Sequence, residues 1–233
     1  MKKKSLTDKH IVFDIDETLV HTCNSMKKYK KFKLYSSGEN ADIRDRFYTI
    51  SMVDVVETSG SGSEYNMWGI FRPHLLEFLE FVFEYFEEVH IWSAGQYLYV
   101  HAMADVIFYA KNYIINHILT YEDCDFVRKD ENGEKYTETF KPLTKFLDVS
   151  DGANSKNTFI IDDRTDTFSK NPKNGILIPK YNPDFTREDI LKDETSLLEL
   201  KKWFMKKEVM ESKDVRKLKK DDIFSKENFN KWE

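Results

Sequence analysis

Residues 10–17 read HIVFDIDE, an apolar run that ends in three carboxylates within four positions. This junction restricts the fold more than any other part of the chain. Ile11, Val12 and Phe13 call for burial on a strand. Asp14, Asp16 and Glu17 resist it, because two like charges about 4 Å apart, at an effective dielectric near 20, repel by roughly 4 kcal/mol. Either the acids fan out into water or something positive offsets them.

The rest of the sequence supplies the frame for that junction. VHIWS (89–93) and NTFIIDD (157–163) read as buried strands that also end in polar side chains, and GILIP (175–179) and a segment within YIINHILT (113–120) add two more. Between them lie helical patterns: RPHLLEFLEFVFEYFEE (72–88), with Pro73 in the first turn, GQYLYVHAMADVIFYAKN (95–112), a start at KPLTKFLDV (141–149), and a last helix around residues 195–206. RFYTISMVDVVET (46–58) and MWGIF (67–71) read as a long hairpin joined by the flexible SGSGSEYN (59–66). Residues 121–140 read as a hairpin turning at Asn132-Gly133, and the Lys-rich 23–45 as a loop. Strands alternating with helices predict an α/β fold: a mostly parallel central sheet between helical layers, with small β-hairpin insertions and no large cap domain. The expected organisation is one domain over 1–206, with inserts near 23–71 and 121–140, and a charged tail, 207–233; residues 201–220, with Lys clusters interleaved with acids, read as a solvated helix.

Composition excludes several function classes. Of 233 residues, 36 are basic and 41 acidic, for a formal charge of -5, which argues against a general nucleic-acid binder. No apolar stretch reaches membrane-span length. Two distant cysteines, Cys23 and Cys124, are too few for a disulfide scaffold and fit a soluble protein of the cytoplasm or nucleus. The six histidines show no metal-like spacing in the sequence.

In an open parallel sheet, ligands bind beyond the carboxyl ends of the strands. Asp14 and Asp16, Ser93, and Asp162 and Asp163 therefore meet along one edge. Four carboxylates there require a cation, and all-oxygen ligation suits Mg²⁺, which takes one or two carboxylates together with a substrate phosphate. If the strand persists, Asp14 and Asp16 point to the same side. One carboxylate can then bind metal and attack while its neighbour handles protons.

DIDETLVH resembles the D-x-D-x-T signature of the haloacid dehalogenase superfamily, and specifically its RNA polymerase II carboxy-terminal-domain phosphatase branch, also called NLI-interacting-factor-like. FRPHLLEFL, HIWSAGQYLY, FKPLTKFL and FIIDDR resemble that branch's further motifs in the same order, over roughly residues 9–206. The resemblance implies a Mg²⁺-dependent phosphatase acting through an aspartyl-phosphate. It implies Asp14 as nucleophile, Asp16 as proton donor and acceptor, Ser93 and Lys141 on the phosphoryl oxygens, and Asp162 orienting Lys141 or a water. It implies metal held by Asp14, the Asp16 carbonyl and Asp163. The implied substrate is a phosphoserine or phosphothreonine protein or peptide, with Tyr99, Arg72 and Arg164 as substrate contacts. Tyr121 stands near where the branch carries a phosphate-holding Arg, a place that Arg72, Arg128 or Arg164 would have to fill, and Pro142 replaces an Asp. A nucleotide or nucleic-acid-end phosphatase, and a catalytically silent phosphopeptide-binding module, are the alternative readings.

Overall fold

The computed structural model describes residues 5–35, 38–53, 62, 64–131 and 134–232. In chain order its strands are β1 (His10–Phe13), β2 (Val20–Cys23), β3 (Phe47–Val53), β4 (Glu64–Phe71), β5 (Glu88–Trp92), β6 (His117–Leu119), β7 (Asp125–Glu131), β8 (Glu134–Phe140), β9 (Thr158–Asp162) and β10 (Gly175–Leu177). The helices are α1 (Met26–Phe32), α2 (Leu75–Tyr85), α3 (Tyr97–Ile107), α4 (Leu143–Leu147), α5 (Arg187–Ile190), α6 (Ser196–Phe204), α7 (Lys207–Met210) and α8 (Lys226–Phe229).

Five strands form the central sheet in the order β10-β9-β1-β5-β6, every pair parallel. All four residues of β1 are buried, because helices cover both faces. Side-chain alternation divides them. Ile11 and Phe13, with Ile91, Phe159 and Ile161, join the core under α2, α3 and α6. Val12, Trp92 and Ile160 face the opposite way, onto Leu143 and Phe146 of α4. The expected α/β architecture of helix, sheet and helix layers is the one observed.

The inserts are small. β2, β4 and β3 make an antiparallel three-stranded sheet, and β7 pairs with β8. Glu131 opposes Glu134; the expected turn residues 132 and 133 lie outside the described residues, as does half of the expected 59–66 link. Two expectations change. Within 23–45, read as loop, α1 forms with its Ser25 Oγ accepting from the Lys28 amide. Its Phe32 packs on Phe47, and Trp68 lies beneath. The 201–220 stretch is not a solvated helix: Val209 and Val215, with Ile223 beyond it, enter the main core, and Lys9 Nζ donates to the Met210 carbonyl at 2.7 Å. The Lys and Glu residues disguise an apolar residue every six to eight positions. Among the described residues, no helix is long and apolar enough to cross a membrane.

Candidate active site

The strand ends bring the acids together. β1 runs in register with β9, Phe13 opposite Ile161, and the Asp14 amide donates to the Ile161 carbonyl at 3.0 Å. Asp14 is thereby set beside Asp162, the last residue of β9. One carboxylate oxygen from each of Asp14, Asp162 and Asp163 falls within 4.8 Å of the others. Lys141, one residue past β8, is held by its amide on the Thr167 carbonyl at 2.6 Å. Its buried ammonium reaches Asp14 Oδ1 at 2.7 Å and Asp162 Oδ2 at 2.6 Å.

These charges do not balance: three carboxylates face one ammonium. Burial pushes Asp14 well up from the usual carboxylate range while Lys141 pulls it down. Burial, with the charges of Asp162 and Glu17, raises Asp163 to about 7. Burial works against the Lys141 charge, but Asp14 and Asp162 outweigh it and hold its pKa above the ordinary value. Such a set, all oxygen and short of positive charge, fits a hard divalent cation. It answers the opening problem of DIDE in two parts, with Lys141 as the resident counter-charge and a cation as the missing one.

Asp16 takes another course. β1 ends at Phe13 and the chain turns, with Glu17 in the left-handed region at φ 59°. A non-glycine residue there costs roughly 1–2 kcal/mol. The Glu17 amide donates to the Val20 carbonyl at 2.7 Å, its own carbonyl accepts from Tyr181 at 2.8 Å, and its carboxylate meets His21 Nδ1 at 2.9 Å. His21 also stacks on Phe185. Past this turn Asp16 does not share Asp14's partners. Its Oδ1 accepts from Tyr99 Oη at 2.5 Å and Thr22 Oγ1 at 2.8 Å, and Thr22 in turn meets Tyr48 Oη at 2.7 Å. Burial raises the Asp16 pKa, opposed by the Tyr99 and Thr22 hydrogen bonds.

The remaining expected residues divide. Ser93 follows β5, is buried, donates its amide to Leu119 O at 3.1 Å and accepts from the Gly95 amide on Oγ at 3.1 Å. Tyr99 is at the site, with its hydroxyl committed to Asp16 rather than open to a substrate. Arg164 borders the site through its amide, which donates to Asp162 Oδ1 at 2.9 Å, while its guanidinium pairs with Asp166. Arg72, expected as a substrate contact, is turned to partners within the fold. Its buried guanidinium forks onto Glu194, with both bonds 3.0 Å, and donates to the carbonyls of Thr18 at 2.8 Å and Pro179 at 2.6 Å. A Pro-flanked Arg at a helix start gives no hint of a partner 122 residues away. Thr22 and Tyr48 were not anticipated either, since their role depends on how the insert sheet folds back. Cys23 and Cys124 are both free thiols.

A sequence profile of NLI interacting factor-like phosphatases matches residues 9–216. No curated protein sequence matches significantly. Among solved structures, the chain resembles Fcp1, described as an essential RNA polymerase II CTD phosphatase. The TM-score is 0.57 and the identity 20%, over 75% of this chain and 42% of that one. It also resembles a variant of fission yeast Fcp1 bound to beryllium fluoride, with a TM-score of 0.58 and 20% identity over 84% of this chain and 49% of the other. The chain thus spans under half the length of those relatives, and at that identity the likeness is one of fold.

Proposed function

We propose, for a chain that belongs to the NLI interacting factor-like phosphatase family, that it is a Mg²⁺-dependent phosphatase of phosphoserine or phosphothreonine proteins that works through an aspartyl-phosphate. One observation carries the reading: Asp14 sits at the carboxyl end of the central strand, bonded to Lys141 and clustered with Asp162 and Asp163. Asp14 attacks the phosphorus in line. A bond forms from its carboxylate oxygen to phosphorus as the bond to the leaving oxygen breaks. Asp16 gives that oxygen its proton, then takes one from the water that attacks the aspartyl-phosphate and releases inorganic phosphate. Ser93 donates to a phosphoryl oxygen, Lys141 supplies a fixed charge, and Asp162 orients Lys141. Asp14, Asp163 and the Asp16 carbonyl would hold Mg²⁺, whose contribution when bound is neutralisation of phosphoryl charge. Tyr99 positions Asp16, and Arg164, whose amide donates to Asp162, borders the phosphate position.

The protein-sized substrate is supported by the modest inserts, a three-stranded sheet and a hairpin, which leave an approach for an extended peptide. The test compares turnover on phosphopeptides, nucleotides and 5′- or 3′-phosphorylated oligonucleotides, with Asp14→Asn as control. The expected result is Mg²⁺-dependent release of phosphate from the phosphopeptides and none from the Asn variant. Preference for the oligonucleotides overturns the substrate assignment, and full activity of the variant overturns the chemistry.

A further inference from the structure

At the opposite end of β1 stands a second cluster of a different chemical kind. His10 opens β1 and lies opposite Glu88, the first residue of β5. Glu88 and His90 share one face of β5, being two residues apart. His10 Nδ1 lies 3.4 Å from His90 Nε2 and 3.5 Å from Glu88 Oε2, and His90 Nε2 lies 3.7 Å from the same oxygen. Both imidazoles are buried and Glu88 is partly so.

From this we infer a second metal site, built by His10, Glu88 and His90, that takes a first-row transition cation, Zn²⁺ foremost. Ligands on a tetrahedral zinc with bonds of about 2.0–2.2 Å are about 3.3–3.6 Å apart. Two of the three separations fall in that range and the third, 3.7 Å, lies just beyond it, whereas a hydrogen-bonded triad needs closer contacts of about 2.7–3.2 Å. Two imidazole nitrogens select such a cation over Mg²⁺, which the all-oxygen cluster after Phe13 suits.

The surroundings agree. The two rings lie nearly parallel, 12° apart, and Phe146 meets the His90 ring edge-on at 4.6 Å. Ser150 Oγ donates to Glu88 Oε2 at 3.3 Å, and Gly152 passes so near that a Cβ there would lie 3.2 Å from the His10 ring. Three protein ligands leave the fourth position to water. Since β1 rises about 3.3 Å per residue, the site is about 13 Å from Asp14 and separate from it.

The test uses the full chain carrying Asp14→Asn and Asp163→Asn, which silences the acidic cluster. It is titrated with Co²⁺ and then with Zn²⁺. The expected result is one equivalent of Co²⁺ with the visible d–d absorption of a four-coordinate site, bleached by Zn²⁺. Glu88→Gln and His10→Gln, checked for folding by circular dichroism, should each lower the affinity by more than about 100-fold, beyond the loss of an outer-shell partner. Should those variants fail to fold, imidazole NMR of the parent gives the answer: Zn²⁺ should move the His10 and His90 nitrogen signals and leave His101 in place. Absence of the four-coordinate signal, its survival in both variants, or unmoved His10 and His90 resonances overturns the assignment.

Discussion

Replacing Arg72 with Ala tests whether this residue is a brace or a phosphate ligand. In the structure its guanidinium makes four hydrogen bonds, two of them to Glu194, in a place where both side chains are 1% exposed or less. The substitution strands the Glu194 carboxylate and takes the donors from the Thr18 and Pro179 carbonyls. Breaking a buried ion pair from one side costs about 3–5 kcal/mol. In a protein of this size each kcal/mol moves the melting temperature by about 2–4 °C, so the midpoint should fall by roughly 6–20 °C. Arg72→Lys should recover only part of this, because an ammonium cannot fork onto a carboxylate. The double variant Arg72→Met, Glu194→Leu should recover more, since a well-packed apolar pair can replace a buried ionic one. The assay pairs calorimetry with kcat and KM on an aryl phosphate, well below the lowered midpoint. KM should be unchanged in Arg72→Ala. An unmoved melting temperature with a raised KM would refute the reasoning and return Arg72 to the substrate.

The same pair sets a pH dependence. Burial raises the Glu194 pKa, but the Arg72 charge and hydrogen bonds outweigh it and hold the carboxyl below its ordinary value. A depressed folded pKa contributes stability that is present above the unfolded value, about 4.3, and is lost as pH falls through the folded one. Urea midpoints followed downward from pH 5 should therefore decline more steeply in the parent than in Arg72→Met, Glu194→Leu; parallel curves count against it. Lys141→Met, which removes the cation between Asp14 and Asp162, should lower kcat by about 10²–10³, the scale of one preorganised electrostatic contact. A loss within a few-fold would remove Lys141 from the chemistry. Gly69→Ala would set a Cβ 2.4 Å from both the His21 carbonyl and Tyr48 Oη. Overpacking of this kind costs about 1–3 kcal/mol, and an unchanged denaturation midpoint would show that β2 and β4 are not held so closely.

How much of this was legible in the sequence follows from the range of the forces involved. The runs IVF, IW and FII within β1, β5 and β9 place apolar side chains on both sides of the strand, and only a sheet covered on both faces can bury them, so the parallel layer and its acidic edge were readable. β2 was not: VHTC is short, half polar, and a strand only because β4 lies beside it. The turn that follows Asp16 was hidden for a different reason. A left-handed turn is usually marked by Gly or Asn, and here Glu17 adopts it, held by bonds from Tyr181 and His21 that no local pattern announces. The His10, Glu88 and His90 cluster shows no spacing because its members come from two strands separated by some 80 residues, and only the β1–β5 register joins them.

The separate surroundings of Asp14 and Asp16 have a consequence for the proposed chemistry. Asp14 is surrounded by charges carried on the ends of the parallel sheet, whereas Asp16 is surrounded by hydroxyls, one from β2, one from α3 and, through Thr22, one from β3. Burial favours the protonated form of Asp16 and outweighs the opposing Tyr99 and Thr22 hydrogen bonds and the smaller pull of His21, as a general acid requires. Thr22→Val keeps the shape of that side chain and removes a donor from Asp16. In the phosphorylation step, which kcat/KM reports, a poorly aligned acid matters only when the leaving oxygen needs a proton, and general acid catalysis is worth about 10²–10⁴. On alkyl phosphates, including phosphoserine peptides, kcat/KM should therefore fall by at least about tenfold. On a nitrophenyl phosphate, whose leaving group departs as an anion, it should scarcely change. Equal losses on both substrates would mean that Asp16 does not protonate the leaving group, and that the hydroxyl network holds the loop rather than the acid.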